Sequence, residues 1–349
     1  MSIREEDFRT IAAASVPWHF LRDSRLLITG ANGFLPSYMV ETALHLNAHH
    51  NAGIQILALV RDRAKAERRL GPEGGGLRYV VQDVREPYAG PRDVDFIVHA
   101  ASQASPKYLG SDPVGTFEAN VFGTRHMLEL ARDAKVQSLL YFSSGEVYGS
   151  IDPSRIPTGE HTYGELDPLN VRCSYGEAKR AGESLSICWW KQYGVPVKIV
   201  RPFHTYGPGM ALDDGRIFAD LVADVVARRN LTLKSDGLAT RAFCYLADAT
   251  VAFFKVLLEG ENGQAYNVGS PYETSIRNLA GILCGLHPER GLSVEFAQRE
   301  RASTYLPSTI SRSCPDIARL RALGWEPGTS VEEGFRRTIQ WAEEQEGKQ

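Results

Sequence analysis

The stretch Arg25-Leu26-Leu27-Ile28-Thr29-Gly30-Ala31-Asn32-Gly33-Phe34-Leu35-Pro36 decides the fold. An apolar run of strand character ends in a glycine turn, and a helix-length segment, Pro36–Leu46, follows it. Gly30 permits the tight turn, and Gly33 lets the backbone approach a pyrophosphate at a helix N-terminus. In the spacing G-x-x-G-x-x-G the third glycine falls at position 36, which here is Pro36. Proline suits a first helical turn, where its missing donor is not needed, but it forgoes the close helix–sheet approach that glycine allows. Taken alone, the stretch is equally an ordinary strand–helix turn.

Working outward, strand-like apolar runs recur at Ile54–Val60, Arg78–Val81, Phe96–Ala100, Ser138–Ser143 and Val197–Val200. Helix-length segments separate most of them, including Thr116–Ala134 and Tyr175–Tyr193. Near-continuous apolar strands alternating with helices indicate an α/β fold: a Rossmann-type, doubly wound parallel sheet covered on both faces. Residues 1–24 form an extension, expected as a short helix followed by the Trp18–Leu21 segment. After Arg201, glycines, prolines and turns crowd the chain. The expected division is a dinucleotide-binding domain of residues 25–200 plus about 243–268, and a smaller C-terminal substrate lobe of 201–242 plus about 269–349.

The composition excludes several classes. The 349 residues are 43% hydrophobic and 23% charged, which is neither disordered nor low-complexity. Lys+Arg of 39 against Asp+Glu of 42 gives a net charge of −3, so no nucleic-acid partner is expected. The five cysteines are scattered without a CxxC pair, which predicts free thiols and no metal site. No apolar run is long enough to span a bilayer, and the acidic start is unlike a signal peptide. The expectation is a cytoplasmic enzyme with no membrane partner.

Chemistry concentrates in two segments. Tyr175-Gly176-Glu177-Ala178-Lys179 places Tyr and Lys four apart, on one helix face. A nearby ammonium favours the phenolate and is expected to draw the tyrosine from a pKa of about 10 toward neutrality, making it a usable base. Ser143-Ser144-Gly145-Glu146-Val147-Tyr148-Gly149 follows the strand at Ser138, so Ser144 reaches a reacting hydroxyl beside Tyr175. Asp83 ends a strand where an adenine amino group is recognised. Val98-His99-Ala100-Ala101-Ser102 ends in small residues against which a dinucleotide can lie. Arg61 stands near the position of an NAD-selective acid and could hold the 2′-phosphate of NADP, while Asp62 could reach a ribose hydroxyl, so NAD and NADP both stay open.

On these residues the chain resembles the extended short-chain dehydrogenase/reductase superfamily, in its nucleotide-sugar epimerase, dehydratase and decarboxylase group. Further matches are Asn120-Val121-Phe122-Gly123-Thr124, Arg201-Pro202-Phe203-His204-Thr205-Tyr206-Gly207-Pro208, Thr240-Arg241-Ala242-Phe243 and Leu323-Gly324-Trp325-Glu326-Pro327. The resemblance implies a tightly held NAD, NADP being the alternative. Its contacts would be Gly30, Asn32, Gly33, Phe34, Leu35, Arg61, Asp83, Val84, Ala100, Ala101, Ser102, Asn120, Ser143, Tyr175, Lys179 and Arg201. It implies a nucleoside-diphosphate-sugar substrate oxidised at C4, with Tyr175, Lys179, Ser144 and Glu146 catalytic. Substrate contacts would come from Ser102, Lys107, Tyr108, Glu146, His204, Arg216, Arg241 and Arg312. It further implies a homodimer formed by pairing the helices near Thr116–Ala134 and Tyr175–Tyr193 into a four-helix bundle.

Glu146 and Gly145 point to a branch. The 4,6-dehydratases carry an Asp-Glu pair there and simple 4-epimerases a small or apolar residue, whereas UDP-glucuronate decarboxylases keep the Glu without the Asp. The segments Ala101–Tyr108 and Met210–Arg216 are similar to that branch too, so UDP-glucuronate or a related hexuronate is the implied substrate, with epimerisation or dehydration as alternatives. A non-catalytic NAD(P)-binding regulator is the reading from a different class. The chain departs from the pattern at Pro36, at Arg61, at His204 in place of Asn, and at Gly209 in place of Arg.

Overall fold

The apolar runs become the strands of one parallel sheet. The structure, a computed structural model, describes residues 1–105, 110–296 and 311–347. Its strands are β1 (Arg25–Thr29), β2 (Gln55–Val60), β3 (Leu77–Val81), β4 (Phe96–His99), β5 (Ser138–Phe142), β6 (Val197–Pro202), β7 (His204–Tyr206), β8 (Leu231–Leu233), β9 (Thr240–Tyr245), β10 (Ala265–Val268), β11 (Glu273–Ser275), β12 (Val294–Phe296) and β13 (Arg312–Ser313). Seven of them lie in the order β10-β6-β5-β4-β1-β2-β3, every neighbouring pair parallel.

Side chains alternate across this sheet, so one strand feeds two cores. Leu26 and Ile28 pack with helices Phe34–His50 and Leu246–Glu259, whereas Leu27 joins Ile97, Leu139, Tyr141 and Ile199 under helices Pro113–Ala134 and Ser174–Tyr193. A third core lies around the smaller sheet, where β9 pairs with β7, β11 and β13. There Tyr206 stacks on Phe335 at 3.9 Å between centroids, with Phe243 edge-on to both. Thr240–Tyr245 belongs wholly to this sheet, so the chain returns to the large sheet only at Leu246. The order of the large sheet reverses between β1 and β4, and ligands of doubly wound folds bind outside the carboxyl ends of such a pair.

Ahead of β1, the chain forms helix Ile3–Ala13, capped by the Ser2 hydroxyl, and a single turn at Trp18–Leu21. The helix is fastened by Asp7, which is 2% exposed. The hydroxyls of Tyr38 and Tyr245 donate to one of its oxygens, at 3.0 and 2.8 Å, and Arg337 Nη2 donates to the other at 2.8 Å. Burial raises the Asp7 pKa while Arg337 and the two phenols oppose it. One carboxylate thus ties the extension to helix Phe34–His50, to β9 and to helix Val331–Glu346. Removing one member of a buried ion pair strands the other without compensation. Asp7→Ala is therefore expected to cost about 3 kcal/mol in urea unfolding; a loss below about 1 kcal/mol would show that the network contributes little.

Candidate active site

The crevice between β1 and β4 is built by a hydroxyl. Thr29 Oγ1 accepts from the amides of Ala100 and Ala101 at 3.1 and 3.0 Å and lies 2.9 Å from His99 Nδ1. The other nitrogen of His99 meets Thr124 Oγ1 at 3.1 Å, and burial pulls this imidazole down to about 3, so it is a neutral strut. The two strand ends are held so close that a Cβ on Gly30 would lie 2.8 Å from Ala101 Cα, and Gly30 itself has φ +64°. The Gly33 amide donates to Gly30 O at 2.7 Å, and Gly33 begins the next helix with no side-chain cap. Asn32, Phe34 and Leu35 are half-buried around it.

The other expected cofactor positions are distributed along the strand ends. Arg61 is exposed, and Asp62 spends Oδ1 on capping helix Arg63–Leu70 through the Lys65 amide at 2.9 Å. Burial would raise the Asp83 pKa, but Arg85, bonded to it through both side chain and backbone, holds it below the usual carboxylate value. Val84 is buried beside it. Two buried oxygens, Ser143 Oγ and Asn120 Oδ1, have no hydrogen-bond partner among the described residues, and Ser102 Oγ lies beside the Tyr175 phenol. Unpaired buried polar atoms are costly, so these oxygens, the uncapped helix turn after Gly33 and the bare backbone at Gly30 and Ala101 fit a polar dinucleotide. Arg201 is not part of this set. Its guanidinium forms a buried pair with Glu183 at 2.8 and 2.6 Å and also donates to Tyr148 Oη and Glu160 O. The side chain bolts β6 to helix Ser174–Tyr193.

Ser144 leaves β5 and caps the turn Gly145–Tyr148, its Oγ accepting from the Glu146 amide at 3.1 Å. Tyr175 and Lys179 occupy the first turns of helix Ser174–Tyr193. Tyr175 keeps some residue exposure, but its phenol is enclosed. Burial pushes the phenol up to about 12, while the Ser144 hydroxyl, the Arg216 charge and the Ser102 hydroxyl favour its ionised form. The expected fall toward neutrality is thus corrected, because desolvation outweighs the neighbouring charge. Lys179 is itself drawn down to about 7 by burial, and its Nζ donates to Phe142 O at 2.6 Å. Its nitrogen stands 5.7 Å from the Tyr175 ring centroid.

Glu146 faces Arg172 at 3.5 Å, a partner that sequence spacing did not reveal. A side chain at Gly145 would press on the Phe203 ring, its Cβ at 3.3 Å, so aromatic carbon fills the place of a second acid. Arg216 donates to Ala104 O at 3.0 Å and pairs with Asp214 at 3.1 Å. His204 is half-buried, with Phe218 and Phe243 edge-on to its ring. Burial, then the charges of Arg241 and Arg216, lowers it to about 3, and its enclosed Nδ1 has no partner among the described residues. Tyr175, His204, Arg216 and Arg241 are therefore within one electrostatic neighbourhood. Arg312 lies on β13 beside the β9 strand of Arg241, but it is clamped by Glu273, the closest approach being 2.6 Å. Lys107 and Tyr108 lie outside the described residues. At Gly209, where an arginine was expected, Arg69 arrives from another helix. Both of its terminal nitrogens donate to Gly209 O at 3.1 Å, and its own guanidinium fills the space of a Cβ there.

The family model of the NAD dependent epimerase/dehydratase family matches residues 26–269. The chain belongs to this family. Among its relatives, UDP-glucuronic acid decarboxylase 6 of Arabidopsis thaliana is 33% identical over 319 residues, covering 90% of this chain and 88% of the relative. UDP-glucuronic acid decarboxylase 1 of Xenopus tropicalis is 33% identical, covering 91% and 72%. A solved dTDP-glucose 4,6-dehydratase, DesIV of Streptomyces venezuelae, with NAD bound, superposes with a TM-score of 0.75 at 27% identity, covering 93% and 98%. UDP-glucuronic acid 4-epimerase of Bacillus cereus shares the fold, with a TM-score of 0.76 at 21% identity over 92% and 99%. This member of the epimerase/dehydratase family is thus an enzyme of nucleotide-sugar modification. No helix among its described residues is long and apolar enough to cross a membrane.

The depressed lysine carries a pH signature. A native pKa of about 7 against 10.5 when unfolded means that the penalty for burying the ammonium is complete below pH 7. It fades as pH rises toward 10.5, because the unfolded chain then binds more protons than the native one. Lys179→Met is expected to gain more in Tm relative to the parent at pH 6 than at pH 9. An equal difference at both would contradict a desolvated lysine.

Proposed function

We propose that this enzyme decarboxylates UDP-glucuronate, or a closely related nucleoside-diphosphate hexuronate, through a transient 4-ketone. The observation that carries the reading is the enclosed Tyr175 phenol beside the Ser144 hydroxyl and Lys179, with Glu146 on the turn after Ser144 and glycine, not an acid, at position 145. The names of the relatives support it independently.

The dinucleotide would be held by Gly30, Gly33, Ala101, Ser102, Asn120 and Ser143, with Asp83 at the adenine end. When bound, it supplies a hydride acceptor carrying a positive charge and later returns the hydride. The family and Asp62, placed to reach a ribose hydroxyl, favour NAD over the NADP whose phosphate Arg61 would hold. Tyr175 takes the proton of the sugar 4-hydroxyl, and Ser144 hydrogen-bonds the same oxygen. Lys179 orients the ribose next to the reacting carbon and stabilises the phenolate. Once C4 is a ketone, the C5 carboxylate is β to it. The C5–C6 bond breaks, CO₂ leaves, and the bonding electrons pass into the C4 carbonyl without any strong base. Glu146, steadied by Arg172, manages the proton that returns to C5, and Tyr175 finally gives its proton back to the 4-oxygen. Arg216 and Arg241 face the diphosphate. Neutral His204 offers its Nδ1 to the sugar nucleotide, which the smaller sheet around β9 faces.

A second copy of the chain completes the assembly in this reading. Helix Pro113–Ala134 exposes Val114, Phe117 and Phe122, and it packs beside helix Ser174–Tyr193. Pairing the two helices with their copies would cover this apolar stripe. CO₂ release from UDP-glucuronate in the presence of NAD tests the chemistry. Tyr175→Phe is expected to lower kcat by about 10²–10⁴-fold with unchanged circular dichroism. A variant that still turns over at the parental rate would refute Tyr175 as the base.

A further inference from the structure

Helix Phe34–His50 carries three histidines in its last turns, His45, His49 and His50, and the nucleotide chemistry uses none of them. His45 and His49 are four apart, on one face, with ring centroids at 4.4 Å. Glu5, from the first turn of helix Ile3–Ala13, meets them from the other side. One ligand atom from each of the three, two imidazole nitrogens and a carboxylate oxygen, lie within 4.8 Å of one another.

We infer that Glu5, His45 and His49 form a binding site for a divalent transition ion of the zinc type, which bridges the N-terminal extension to the helix beneath the glycine turn. The donor set is two nitrogens and one oxygen, a combination that suits zinc and leaves one position for water. Donors at about 2.0–2.1 Å from one ion stand about 3.4 Å apart, so closure needs only small rotations of side chains that are exposed or half-buried. The position at the C-terminal end of a helix favours a cation, whereas Arg9 opposes it. The ion would link two elements distant in sequence, at the end of the helix opposite Gly33. Over 17 residues that separation is about 25 Å, so the metal acts on the stability of the extension rather than on the reacting atoms.

Calorimetric titration of zinc into the untagged, full-length protein tests this. The expected result is saturable binding of about one ion per chain, with a rise in Tm of about 4 °C when zinc is a hundredfold above Kd. His49→Ala is expected to abolish both, Glu5→Gln to weaken binding about tenfold or more, and His50→Ala to leave it intact. Both replaced side chains of the first two variants are exposed, so circular dichroism and the metal-free Tm should match the parent. Absence of saturable binding in the parent, or undiminished binding in His49→Ala, overturns the site. Undiminished affinity in Glu5→Gln overturns the bridge, since the ion would then rest on the helix pair alone.

Discussion

Thr29 holds the ends of two strands together with a single oxygen, and the remainder of the site follows from that clasp. By accepting from Ala100 and Ala101 it fixes β4 against the turn after β1, where no side chain fits at Gly30. A bare backbone cleft results at the point where strand order reverses. The first helical turn beyond Gly33, the small residues after β4 and the hydroxyls after β5 are all delivered to its edges by the parallel sheet. The constraint is local and steric, and the architecture multiplies it, because each strand adds its carboxyl end to the same rim.

Burial then sets the chemistry. The same exclusion of water lifts Tyr175 to about 12, lowers Lys179 to about 7 and keeps His99 and His204 neutral. A phenol in that position is a reluctant base in the bare protein, and it becomes effective when positive charge enters beside it. In the proposed reaction, proton removal from a sugar hydroxyl is thereby coupled to the arrival of a cationic ligand. Arg216 and Arg241 contribute charge from the second lobe, the part of the molecule that the diphosphate would reach.

Much of this was legible in the residues. Alternation of apolar strands with helices determines the doubly wound sheet, since both faces must be covered. Pro36 hid the helix start: the helix begins at Phe34, because a proline within the first turn interrupts no hydrogen bond. Motif order brought out Gly30, Ser144, Tyr175 and Lys179, which lie after β1, after β5 and on helix Ser174–Tyr193. What escaped was tertiary. Arg201 stands in a motif, yet its partner Glu183 lies on a helix face that only packing selects. Arg69 reaches Gly209 from 140 residues away, and Arg172 meets Glu146 across a loop. The His45–His49 pair could be read from helical spacing, but Glu5 joins it only once the extension has docked.

In the proposed reaction the enclosed tyrosine makes a 4-ketone whose neighbour at C5 is a departing carboxylate. Mass spectrometry of the nucleotide sugar formed from UDP-glucuronate and NAD in deuterated water would follow that carboxylate. The expected product is lighter by CO₂ and bears a solvent deuteron at C5 of a pentose. A product that retains its carboxylate, whether epimerised at C4 or lighter only by water, would contradict it.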